Sequence, residues 1–223
     1  MFRFFIVLLF FVVSSIYSAF ATGNCTKRKL DEIDTYLNTL DKVAIKFIQT
    51  ATNNDDEMAY TGLFLIQKPS KFRINYDIPH PLLIVGTKNF ISIYDYDLEE
   101  LSRVDAEDNI FKFLLELNIN IQKFVVIEQC YYIDNSIELL VRHTKTDQKS
   151  MIIFEENPIK LKEMLIPYDG NDINNGAIRI SFREYFYYSR ALNDDFFSIK
   201  DIKIFGALKR YSSDEILKNI KEQ

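Results

Sequence analysis

The feature that most constrains this chain is a two-residue alternation of apolar and polar side chains, repeated in short runs from residue 42 to residue 187. Side chains with this period point to opposite faces of a pleated strand. The alternation predicts strands over 43–49, 58–68, 71–77, 82–86, 90–96 and 98–104, punctuated by Asn53-Asn54-Asp55-Asp56, Pro69 and Pro79-His80-Pro81. Further strands are predicted over 123–132, 137–144, 150–155, 160–167 and 177–187, with turns at Asp134-Asn135, Thr146-Asp147, Asn157-Pro158 and Asp169-Gly170-Asn171-Asp172. The intervals are too short for crossover helices, so neighbouring strands form antiparallel hairpins. A content of 19 Phe and 13 Tyr with no Trp suits half-buried pleated surfaces.

Three segments depart from the strand period. Leu30, Ile33, Tyr36, Leu37 and Leu40 recur at helical steps, with Asp, Glu, Asn and Lys on the other side. An apolar stretch over 110–117 reads as a short helix. Ser212-Ser213-Asp214-Glu215 has the form of a capping box leading into Ile216, Leu217 and Ile220. The chain has no internal repeat or linker, so the fold class is mainly β with short helices in a single domain.

The N-terminus carries Arg3, an apolar run from Phe4 to Val13 and Ala19-Phe20-Ala21, the layout of a cleavable export signal. We therefore expect a signal peptide over 1–21 and one domain over 22–223. Uncut, the chargeless stretch 4–21 reaches the lower limit of a membrane-spanning helix. Export places Cys25 and Cys130 where they either pair or stay two separate thiols, and spacing alone leaves both open.

The formal charge is −5, and removal of 1–21 takes away only one basic residue, Arg3. With Lys and Arg alternating with Asp and Glu throughout, no basic stripe offers itself to nucleic acid. No G-x-S-x-G, H-E-x-x-H, C-x-x-C, P-loop or G-x-G-x-x-G occurs. His80 and His143, the only imidazoles, both read as exposed, and two are too few for a histidine-based metal site. Asp95, Asp97, Glu99 and Glu100 read as a solvated turn rather than an acid–base pair. The expectation is a protein that is not an enzyme, with no catalytic residue, metal or cofactor.

In Lys71-Phe72-Arg73-Ile74-Asn75-Tyr76-Asp77, alternation puts Phe72, Ile74 and Tyr76 on a greasy face and Arg73, Asn75 and Asp77 on a wet one. Ile91 with Ile93, and Val43 with Ile45 and Phe47, repeat the pattern. Alternation by itself does not separate a packed core from an open pocket.

The run Phe47-Ile48-Gln49, then Gly62 to Gln67 with Lys68-Pro69, Phe72-Arg73 and Tyr76, then Ile91 to Asp95 with Leu98-Glu99-Glu100, resembles the outer-membrane lipoprotein carrier family LolA. The clear match covers 40–104, and a looser one continues to about residue 203. That resemblance implies an incomplete, half-open antiparallel β-barrel covered by a helical lid. It implies a monomeric periplasmic carrier that takes acylated lipoproteins from an inner-membrane ABC transporter complex to an outer-membrane receptor lipoprotein. By the same resemblance Phe72, Ile74 and Tyr76 fall where the family lines its cavity, with Phe47, Phe64, Ile66, Ile91 and Ile93 as neighbours.

Lys68 falls where many members carry an Arg that bonds lid carbonyls; Lys keeps the charge and loses the planar fork of donors. The chain departs from the family at Thr87-Lys88, where an Asp-Gly turn is usual, and at Asp108-Asn109, where a Thr-Pro step is usual. Two alternatives share the fold: a receptor anchored through an acylated Cys25, disfavoured by Asn24 before it, and an envelope structural or sensor module with its cavity closed.

Overall fold

A computed structural model of the chain describes residues 25–51, 59–106, 114–199 and 208–222. The expected signal peptide, the 53–56 turn and positions 110–113 of the expected middle helix lie outside the described residues. Six strands, β1 (Lys42–Ala51), β2 (Tyr60–Gln67), β3 (Lys71–Tyr76), β4 (Leu82–Gly86), β5 (Phe90–Asp95) and β6 (Glu100–Asp105), form one meander. Five more, β7 (Val125–Ile133), β8 (Ser136–His143), β9 (Lys149–Glu156), β10 (Ile159–Pro167) and β11 (Ala177–Tyr187), form a second.

The two meanders are joined by antiparallel pairing of β1 with β11, which sets Phe47 opposite Phe182 and Gln49 opposite Ile180. The strand order is β6-β5-β4-β3-β2-β1-β11-β10-β9-β8-β7. β6 and β7 are its free edges, so the sheet is an open half-barrel.

Helix α1 (Lys27–Thr39) begins at Thr26, whose side chain accepts from the Lys29 amide. It buries Leu30, and it packs Ile33 and Leu37 against the inner face of the sheet, where Val43, Ile45, Phe47, Ile66, Phe72, Leu139 and Phe154 complete the main apolar cluster. Its polar side is also engaged. Asp34 accepts from the Ile121 amide at 2.9 Å, and Asn38 accepts from the Ile119 amide at 2.7 Å and donates to the Ile119 carbonyl at 3.1 Å. Cys25 is joined to Cys130 of β7 in a disulfide, with Cα atoms 5.5 Å apart. Lys29 adds an ion pair to Glu156. The helix is thus pinned along its length.

Helix α2 (Ser213–Lys221) starts with the capping box expected at Ser212 and Glu215. It lies with residues 192–199 on the outer face, where Ile216, Leu217, Ile220 and Phe197 pack on Ala44, Leu63, Leu65, Leu83, Val85 and Tyr94. This corrects the expectation of a wet outer face. Arg73 and Asn75 are 4% and 1% exposed. Arg73 donates to Asn75 Oδ1 and to the Phe196 carbonyl, and its guanidinium lies 4.3 Å from the Phe196 ring centre. Asn75 donates to the Tyr211 carbonyl, Gln67 exchanges two hydrogen bonds with the Leu192 main chain, and Asp77 accepts from Ser213. Polar outward residues therefore hold a strap of chain instead of water. The signal was present in Leu63-Phe64-Leu65-Ile66, because a continuous apolar run marks a strand covered on both faces.

His143 is a second correction. It continues the inward series Ile137, Leu139 and Val141 of β8, is 5% exposed, and has Nδ1 within 3.0 Å of Thr146 Oγ1. Strand period outweighs the polar neighbours Arg142 and Lys145. His80 is exposed as expected.

Candidate functional site

The inner face is filled by α1 at the end where β1 begins and left partly empty at the end where β1 stops. Register explains the geometry. Gly62 stands opposite both Phe47 and Tyr76, and a side chain there would meet the Asn75 carbonyl oxygen at 2.2 Å and the Phe47 ring at 2.7 Å. The missing side chain lets Phe47 lean across β2 onto Tyr76, edge to face, with ring centres 5.1 Å apart. Phe64 packs beside Phe72 and Phe182 at 6.1 and 6.5 Å.

Beyond these rings lies a hollow of about 190 Å³, lined by Phe47, Gln49, Phe64, Ile74, Tyr76, Ile84, Ile166, Ile178, Ile180 and Phe182. No charged side chain lines it. Gln49 and Tyr76 also border an adjoining space of about 230 Å³ walled by Tyr60, His80, Pro81, Leu82, Asp95 and Asp97. The Tyr76 hydroxyl donates to Gln49 Oε1 at 2.7 Å. Burial pushes the Tyr76 phenol up to about 12, so it stays a neutral donor at physiological pH. An uncharged apolar hollow meeting a polar mouth suits an amphiphilic guest, and the titratable side chains His80, Asp95 and Asp97 stand at the mouth, outside the hollow itself.

Of the eight apolar positions expected to form a site, Phe47, Phe64, Ile74 and Tyr76 line this hollow. Ile66, Phe72 and Ile91 are buried in the main cluster, and Ile93 packs against it half-buried. Lys68 donates from Nζ to the Leu37 carbonyl at 2.9 Å, at the C-terminal turn of α1. Burial pulls its ammonium down to about 8 against the opposing pull of Asp41. Gln49, Ile84, Ile166, Ile178, Ile180 and Phe182 were missed. Of these, Ile178, Ile180 and Phe182 alternate along β11, and only the β1–β11 pairing brings that strand to Phe47. Asp95 Oδ1 caps its own turn by accepting from the Asp97 and Leu98 amides. Among the described residues no group of three His, Cys, Asp or Glu side chains is placed to hold a metal, and no helix is long and apolar enough to cross a membrane.

Residues 38–200, which include every residue lining the hollow, match the family model described as outer membrane lipoprotein carrier protein LolA. The chain belongs to the LolA family. It is 37% identical over 214 residues to an uncharacterised protein of Rickettsia prowazekii, covering 96% of this chain and 94% of the relative. Over 57 residues it is 40% identical to an outer-membrane lipoprotein carrier protein of Chromobacterium violaceum, covering 26% of this chain and 28% of that one. The crystal structure of a LolA superfamily protein from Nitrosomonas europaea aligns with a TM-score of 0.49 at 8% identity, over 79% of this chain and 99% of the other. The α2 helix lies past the stretch matched to LolA.

Proposed function

We propose that this LolA-family protein is a periplasmic carrier that shelters the acyl chains of lipoproteins, not an enzyme. In this reading a signal peptide over 1–21 exports a monomeric domain over 22–223, which takes acylated lipoproteins from an inner-membrane ABC complex to an outer-membrane receptor. The observation that carries the reading is the uncharged hollow between Phe47, Phe64, Ile74, Tyr76 and Ile180. An apolar cavity of about 150 Å³ admits a guest of benzene size. A hollow of about 190 Å³ therefore receives the tip of a chain, and full cargo widens it. Each buried methylene stabilises by about 0.8 kcal/mol, ample to offset that widening.

The disulfide favours the soluble carrier over a receptor anchored at Cys25. A lipid thioether needs the same sulfur that is bonded to Cys130. The pinning of α1 favours loading from the Gln49–Tyr76 end, with α1 left in place as a cover. Native mass spectrometry of protein purified from the periplasm tests the proposal: diacyl or triacyl adducts on a chain beginning near residue 22 are expected. Protein that is lipid-free at every stage of purification, or a lipidated Cys25, sinks it.

A further inference from the structure

We propose that Gln49 reads the carbonyl group at the head of a lodged acyl chain, so that the site selects acyl esters and amides over plain alkyl chains. This rests on the carrier reading above and adds to it a residue and a chemical class of ligand.

Gln49 stands where the apolar hollow meets the polar mouth, and it lines both. Its side-chain oxygen is already occupied by the Tyr76 hydroxyl at 2.7 Å. That contact fixes which way the amide faces and leaves Nε2 as the donor end, which meets no acceptor among the described residues. Apart from the Tyr76 hydroxyl, every other side chain around the hollow is hydrocarbon.

An alkyl chain pushed into this space strips water from the Gln49 N–H groups and returns nothing, which is unfavourable. A chain whose first carbon is a carbonyl restores the lost hydrogen bond at the boundary while its methylenes go inward. Gln49 is half-buried in the empty site, and a lodged chain would complete the burial of its donor; a site that buries a donor rejects analogues that lack the matching acceptor more strongly than analogues of altered length. The mouth adds a second filter. Asp95 and Asp97 stand on its wall, so a free fatty acid would bring a carboxylate toward two others, whereas an ester or amide carries no charge there. Tyr76 acts as a positioning residue, since it orients the amide without itself reaching the ligand carbonyl.

The test uses delipidated mature protein titrated with methyl decanoate, decyl methyl ether and decanoate at neutral pH. The ester is expected to bind about fivefold tighter than the ether, the size of one net hydrogen bond, and decanoate more weakly than the ester. In Gln49→Leu the ether should bind more tightly than in the parent, since no N–H group is then stripped of water, and the ester should lose its advantage. Tyr76→Phe should narrow the preference. Equal ester and ether affinities in the unaltered protein, a preference that survives Gln49→Leu, or decanoate binding tighter than the ester would each overturn the proposal. Failure of the unaltered protein to bind either neutral ligand would instead defeat the carrier reading, and this proposal with it.

Discussion

Phe72 and Gly86 face each other across the β3–β4 ladder, and the Phe72 ring occupies the place where a Gly86 side chain would stand. A Cβ on Gly86 would fall 1.7 Å from a carbon of that ring, so the pair fits only as aromatic over glycine. Gly86→Ala should destabilise by about 1–3 kcal/mol through overpacking. Urea unfolding should show a lower midpoint at unchanged slope; an unchanged midpoint would mean the ring moves aside freely. Phe72, 2% exposed, is a pillar of the fold, and a polar substitution there tests folding before it tests binding.

Ile180 is the cleaner probe of the hollow, being half-buried and on its wall. Ile180→Glu places a carboxylate in hydrocarbon surroundings that offer one amide for it to bond. Acyl-ligand affinity should fall about a hundredfold or more, while far-UV circular dichroism stays that of the parent. Retained affinity would move the binding site elsewhere.

The Cys25–Cys130 bond closes a loop with a sequence separation of 105. Loop entropy assigns such a bond about 4–5 kcal/mol of stability, and at this chain length that is a fall in Tm on the order of 10 °C. Paired thermal melts of the oxidised protein and of a Cys25→Ser, Cys130→Ser double variant measure it. Equal melting temperatures would mean that α1 is held without its staple.

Lys68 makes stability depend on pH with a definite sign. Its ammonium titrates near 8 in the folded chain against an ordinary 10.5, so between those values the unfolded chain binds the extra proton. Stability from this group therefore rises with pH across that window, and the cost of burying the charge is fully present below it. Urea midpoints at pH 7 and 9.5 should climb more in the parent than in Lys68→Met. Identical slopes in the two proteins would refute the assignment.

Removal of residues 208–223 should uncover Leu63, Leu65, Leu83 and Val85 on the outer face. The loss of Ile216, Leu217 and Ile220 from that cluster is worth about 5 kcal/mol or more by burial. Binding of a hydrophobic dye should increase and solubility fall. A truncated chain that stays soluble and dye-free would show the strap to be dispensable.

Much of this was legible beforehand. The strands expected over 82–86 and 177–187 match β4 and β11 to the residue, because a period of two is local and turn residues mark its limits. The α1 stripe and the Ser212 capping box were equally plain. His143 was misread although it keeps the inward period of β8, and the burial of Arg73 and Asn75 was signalled only indirectly, by the apolar run of the neighbouring strand, because it depends on the strap that packs above them.

The sequence by itself determined the strands, their two faces and the helix caps, since these follow from steric preferences and hydrogen bonds spanning a few residues. Tertiary structure alone decided that β1 pairs with β11, that Cys25 meets Cys130, and that the outer face receives α2. Those contacts join positions more than a hundred residues apart, and they form only when the burial they bring outweighs the entropy of closing such long loops. The hollow belongs with them: Phe47 and Gln49 were marked by their strand, and the wall of Ile180 and Phe182 opposite them exists only once the two meanders join.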